Sequence, residues 1–315
     1  MSFHHHVNKL TKTLKMNIFS SRTKSFHQIN LIKREENLEL AYASYESTKS
    51  YSDKNPEPTP VLVLHGFMAS KNNWNSYCKK CHENTKSKVV AIDARNHGDS
   101  PHATENSYDD MVMDIREFMY KMDMKKINLL GHSMGGRTAM LFALKYPELV
   151  EKLIVADISP ITSSPSVKQL PKLLNILKRI EIPEKTTLQE TRKILSEKLF
   201  TLVGNKQLVS FILTNLVQKN EGSYSWRFNE QALVENFEYI STFPEIYNIK
   251  YEGPVLFVGG AKSDHIPKSD YPKILKLFPN AELKFIEGAG HWIHSEKPAE
   301  FLKVTIDFLN KKINK

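Results

Sequence analysis

Cysteine is almost missing from this chain: two residues in 315. That excludes the disulfide framework of a small secreted domain and suits a reducing compartment. Long apolar runs are missing too. None approaches the roughly 18 residues a membrane-spanning helix requires. Acidic residues are absent from positions 1–34, which hold Lys9, Lys12, Lys15, Arg22, Lys24, Lys33 and Arg34. The formal charge of +9 is therefore concentrated at one end. The remaining residues carry only about +2, which gives the body of the chain no electrostatic reason to bind nucleic acid.

The acid-free start has a pattern of its own. Val7, Leu10, Leu14 and Ile18 recur at helical spacing, with Lys9, Lys12 and Lys15 on another face. An amphipathic, basic, Ser-containing start reads as a mitochondrial transit peptide leading to the matrix. The alternative is a disordered basic tail, which would leave the protein cytoplasmic. The two cysteines stand in "CKKCH" (78–82), which matches the pattern for c-type haem attachment. The surrounding stretch is polar, rich in Lys and Asn, and offers no haem pocket, so the expectation is two incidental cysteines on a helix surface.

Short Leu- and Val-rich runs recur along the rest: "LELAYASYE" (38–46), "VLVLHG" (61–66), "KVVAIDA" (88–94), "INLLGH" (127–132), "KLIVADIS" (152–159), "PVLFVGG" (254–260) and "ELKFIEG" (282–288). From residue 61 they are continuous rather than alternating, as in parallel strands buried on both faces. Helical patterns separate them at 108–122, 136–147, 271–278 and 298–310. Alternating strands and helices predict an α/β fold with a mostly parallel central sheet flanked by helices. Residues 161–250 break the alternation and read as helices without a strand. The predicted organisation is a core of 36–160 and 251–313 with a helical cap of 161–250. Residues 47–60, with three prolines, read as a loop.

The chemistry concentrates in "LLGHSMGGRTAM" (129–140). Here G-x-S-x-G follows a strand and precedes a helix, the placement that the motif requires. A nucleophile on a tight strand-to-helix turn needs neighbours without bulk, and Gly131 and Gly135 supply that clearance. Ser133 is the candidate nucleophile. The Met134 N–H, at the start of the helix, faces the place where negative charge would develop. A second donor is expected from the loop after an early strand, "HGFMAS" (65–70), with Phe67 the choice. His65 there reads as a loop-stabilising residue. A serine hydroxyl needs a base, and "GAGHWIH" (288–294) offers His291 after a glycine turn that follows the last strand. His294 is the plainer alternative. The acid that would orient the histidine has two candidates, Asp157 in "VADISP" and Asp264 in "AKSDHIP". Both stand at strand ends, where open α/β sheets place their sites. Met68 and Trp292 flank these residues as candidate substrate contacts. Leu173, Leu174, Phe211 and Trp226 are expected to pack the cap onto the sheet, with some shaping an acyl pocket.

Taken together, "HGFMASKNNW", "DARNHGDSPH", "GHSMGGRTAM", "VADISP", "ILTNLV" and "GAGHWIH" resemble the α/β-hydrolase fold family over about residues 36–313. Within it they resemble the mitochondrial α/β-hydrolase domain-containing protein 11 group and its bacterial short-chain esterase relatives. The resemblance implies a serine ester hydrolase with a small-molecule ester, acyl-lipid or thioester substrate and neither metal nor cofactor. Ser133 would be the nucleophile and His291 the base. It favours Asp157 over Asp264, although an aspartate stands at both places. Asp93, Arg95, His97 and Asp99 are expected to hold a turn. A carbon–carbon bond hydrolase on the same scaffold, or a non-catalytic binding protein that keeps the fold, is the alternative function. No motif specifies a protein partner.

Overall fold

The computed structural model describes residues 38–47 and 57–312. The transit-peptide reading of 1–34 and most of the proline-containing loop lie outside the described residues.

Among the described residues, nine strands and eleven α-helices follow one another. The first part runs β1 (Tyr42–Tyr45), β2 (Val61–Leu64), α1 (Asn75–Thr85), β3 (Val89–Ile92), α2 (Tyr108–Lys121), β4 (Ile127–His132), α3 (Met134–Lys145) and β5 (Val150–Ala156). An inserted segment holds α4 (Leu170–Arg179), α5 (Leu188–Val203), α6 (Lys206–Leu213), β6 (Leu216–Asn220), β7 (Ser223–Trp226), α7 (Glu230–Glu235) and α8 (Phe237–Ser241). The chain then returns through β8 (Val255–Gly260), α9 (Tyr271–Leu277), β9 (Ala281–Ile286), α10 (Ile293–Glu296) and α11 (Pro298–Asn310).

Seven strands form one sheet in the order β1-β3-β2-β4-β5-β8-β9. β1 is antiparallel to β3, and every other pair is parallel. The apolar runs explain this directly. β2, β3, β4 and β8 are buried at every position, because helices cover both faces. α2, α3 and Ile274 of α9 pack on one face through Met111, Ile115, Phe142 and Phe278. α1 and α11 pack on the other through Trp74, Tyr77, Phe301 and Phe308.

Three expectations change. Cys78 and Cys81 are not on a helix surface: both are fully buried on the inner face of α1. The polar residues around them occupy the outer face, which is why the stretch reads as exposed. The inserted segment contains a strand pair, β6 and β7, as well as helices. Alternation over Ser223-Tyr224-Ser225-Trp226 buries every second side chain, as strand geometry requires, and Gly222 takes the positive φ of the turn between the strands. Finally, Leu173, Leu174 and Trp226 close a separate cap core with Leu195, Leu199 and Phe228, instead of packing onto the sheet.

Candidate active site

Parallel strands bring their C-terminal ends to one edge, and the hydrogen-bond ladder runs one step beyond them. The Ser133 N–H donates to Ala156 O at 3.0 Å, and the Asp157 N–H donates to Val258 O at 2.8 Å. Residues just past β4 and β5 are thus held level. Both are strained, Ser133 at φ 52° and Asp157 at φ 49°. A non-glycine residue at positive φ costs on the order of 1–3 kcal/mol and persists only where its surroundings over-determine it. At Ser133 the surroundings are glycine contacts. A Cβ on Gly135 would lie 2.5 Å from His65 O, and one on Gly131 would lie 2.1 Å from Gly135 O. Close packing of α3 on β2 therefore forces glycine into the first helical turn. It also starts the helix at Met134, earlier than the helix-forming residues near Arg137 suggest.

His291 arrives from β9 through a turn whose Gly288 has φ +74°. The Glu296 carboxylate fixes this loop by accepting from the Gly290 N–H at 2.8 Å and the Trp292 N–H at 3.1 Å. The His132 Nε2–H donates to the His291 carbonyl at 2.9 Å. The ring of His265 stacks on that of His291 with centroids 3.7 Å apart. Under these constraints His291 Nε2 lies 3.1 Å from Ser133 Oγ, and Nδ1 lies 2.8 Å from Asp157 Oδ2.

Asp157 is fully buried. It accepts two further bonds, from the Gly260 N–H at 2.8 Å and the Ser263 hydroxyl at 2.5 Å. Burial raises its carboxyl above the ordinary range, and these two donors oppose the rise. Burial lowers His291 below the ordinary imidazole value, and His294 adds to the effect. At neutral pH the pair is a neutral imidazole on a carboxylate, able to take a proton from a hydroxyl.

Asp264 is elsewhere. Its side chain is 58% exposed and accepts from the Ser164 hydroxyl at 2.6 Å. The structure does not bring it to His291. His294 stacks on Trp74 at 4.3 Å instead of facing the serine. His65 ties two loops together, with Nε2 accepting from the Ala94 N–H at 3.0 Å and Nδ1–H donating to Gly66 O at 2.8 Å. Asp93 accepts from Lys71 Nζ at 2.5 Å, and Arg95 grips Asp114 through two bonds of 2.6 Å, so this loop is held by buried ion pairs. Phe67 follows Gly66, where a Cβ would lie 3.3 Å from that of Ser133. Its backbone therefore runs beside the serine, and Met134 opens α3 directly after that residue. Met68 is buried in the cap core, whereas Trp292 is half-buried, with Phe211 of the cap 5.5 Å away ring to ring.

Several residues escape sequence reasoning. Ser263, His265, His132 and Glu296 are ordinary in type, and each acts on the dyad only through the tertiary fold. A weak signal exists for three of them, since they stand beside marked candidates: His132 before Ser133, and Ser263 and His265 on either side of Asp264.

A family model for the alpha/beta hydrolase fold matches residues 59–298. The sn-1-specific diacylglycerol lipase ABHD11 of Danio rerio is 40% identical over 257 residues, covering 82% of this chain and 80% of that protein. The Mus musculus protein of the same name is 39% identical over 249 residues, covering 79% and 80%. A solved marine microorganism esterase superposes with TM-score 0.77 at 37% identity, covering 86% of this chain and 99% of its own. A seven-stranded, mostly parallel sheet with this strand order, matched across most of its length, makes the chain a member of the α/β-hydrolase fold family.

Proposed function

We propose that this protein cleaves carboxylic esters through a covalent acyl-serine, with acylglycerols as the substrate class. The observation that carries the reading is the unbroken hydrogen-bond chain from Ser133 Oγ through His291 to the buried Asp157. A hydroxyl joined to a neutral imidazole, itself oriented by a carboxylate, is an activated nucleophile.

In the first half-reaction Ser133 Oγ attacks the ester carbonyl carbon, and its proton passes to His291 Nε2. The carbonyl oxygen becomes an oxyanion held by the Phe67 and Met134 N–H groups. Asp157 stabilises the imidazolium without accepting its proton. The carbon–oxygen bond to the alcohol then breaks, and His291 Nε2 protonates the departing oxygen. In the second half-reaction His291 takes a proton from water, the hydroxide adds to the acyl carbon, and the acid leaves as Ser133 recovers its proton. Trp292 lies beside the histidine, Phe211 of the cap lies beside Trp292, and the two rings offer an apolar wall to an acyl chain. The acylglycerol class draws support from the two lipase relatives. Residues 1–34 would carry the protein to mitochondria, and a fluorescent fusion of that segment tests this part.

A fluorophosphonate probe should label the purified full-length protein, and Ser133→Ala should abolish both labelling and ester hydrolysis. Asp157→Asn should cost roughly 10⁴-fold in turnover, by analogy with known triads, and Asp264→Asn should cost little. Labelling that survives Ser133→Ala ends the reading. No labelling of the wild type would favour the non-catalytic binding protein.

A further inference from the structure

The segment "ILTNLV" has at its centre a residue with no part in the Ser133–His291–Asp157 chain. Asn215 is nevertheless 2% exposed. Its Nδ2–H donates to the Met68 carbonyl at 2.8 Å, a bond from the cap to the loop that carries Phe67. That loop is a tight turn, closed by the Ala69 N–H donating to Gly66 O at 3.1 Å. Met68 is its third residue, with φ 52°. A turn with positive φ at this position ordinarily holds glycine, because a side chain there is strained. The Phe67 N–H belongs to the same turn.

Two features of the cap oppose the strain. The Met68 side chain is buried in the cap core with Leu173, Leu174 and Phe228. Its carbonyl is held by Asn215, which is fixed in turn: the Asn215 carbonyl accepts from the Arg227 N–H at 2.8 Å, at the end of the β6–β7 pair. The cap thus grips the Phe67 turn through one side chain and one amide, both buried.

We propose that Asn215 is a positioning residue through which the seated cap holds the Phe67 turn in its strained form, so that stabilisation of the oxyanion depends on the cap. The inference rests on the ester-hydrolase reading. Loss of the amide lets the turn relax, and the Phe67 N–H swings from the developing charge. Substrate binding, which relies on apolar contacts, is spared.

The test compares full-length Asn215→Ala with Trp226→Phe. The latter removes a cap hydrogen bond, Nε1–H to Leu177 O at 3.1 Å, and keeps a ring in the cap core and the Asn215 amide on the Met68 carbonyl. With a nitrophenyl ester, Asn215→Ala should lose roughly tenfold or more in kcat, approaching the loss of a whole oxyanion donor, while KM stays within about threefold. Its affinity for a trifluoromethyl ketone, which forms a serine-bound oxyanion, should weaken by the same factor as kcat. Trp226→Phe should lower the thermal midpoint and retain kcat. If Asn215→Ala does not fold, Asn215→Ser is read in the same way. The inference is overturned if kcat is retained in the Asn215 variant, or if Trp226→Phe loses as much as that variant does. A wild type that the fluorophosphonate does not label overturns the ester-hydrolase reading instead, so the two failures are distinct.

Discussion

His291 works in surroundings that favour its neutral form. Burial and the neighbouring His294 both penalise the imidazolium, which places its titration below the ordinary 6.5. A base with a lowered pKa remains unprotonated further into acid. The rate kcat/KM should therefore hold level as pH falls through 6.5 and decline only below it, in a step belonging to the His291–Asp157 pair as a unit. A pH profile on a soluble ester checks this, and an acid limb centred above the ordinary imidazole value would contradict it. Asp157 shows why the same residue type at Asp264 is no substitute. Full burial and three donated hydrogen bonds fix one carboxylate beside the ring, while the other faces water.

The joint between β4 and α3 stores conformational strain in order to expose a hydroxyl. Ser133 sits at φ 52°, ψ −117°, a conformation that glycine adopts readily and alanine does not. Ser133→Gly and Ser133→Ala should both be inactive, yet the glycine variant should be the more stable by about 1 kcal/mol, the strain relieved less the entropy of glycine. Urea unfolding of the two inactive variants measures the difference free of any catalytic effect. An equal or lower stability for glycine would mean that the turn is not strained. The same joint explains a boundary that composition misplaces. Gly135 and Gly136 are poor helix formers, yet they occupy the first turn of α3 because the end of β2 leaves no room for a side chain at Gly135 and Ile158 leaves none at Gly136.

At the scale of the whole molecule, one buried cation gathers both ends of the cap. Arg137, 2% exposed and one turn beyond Ser133, donates to Ser241 O at 2.8 Å where the cap ends. It also donates to the Ser163 hydroxyl at 2.9 Å and Thr162 O at 3.3 Å where the cap begins. Hydrogen bonds to a charged group are worth about 1.5–3 kcal/mol each, and buried acceptors left without a donor carry a further cost. Arg137→Met should lower unfolding stability by at least about 2 kcal/mol and speed limited proteolysis between residues 159 and 245. Unchanged proteolysis would show that the cap is secured by its own core alone.

Much of this protein was legible in its sequence. Continuous apolar runs specified parallel strands buried on both faces, because only such strands need no polar side. The glycine-flanked Ser133 and the Gly-preceded His291 stood out in the chain, because tight turns restrict which residues can stand there, and the fold brings their side chains to 3.1 Å. Other features were illegible for a common reason. The separation of Asp157 from Asp264, the inward face of Cys78 and Cys81, the β6–β7 pair and the reach of Asn215 to Met68 depend on contacts between residues far apart in the chain. Local pattern reports what a segment can become. Which carboxylate loses its water, and which amide meets a strained carbonyl, is settled only when distant segments pack together and exclude solvent.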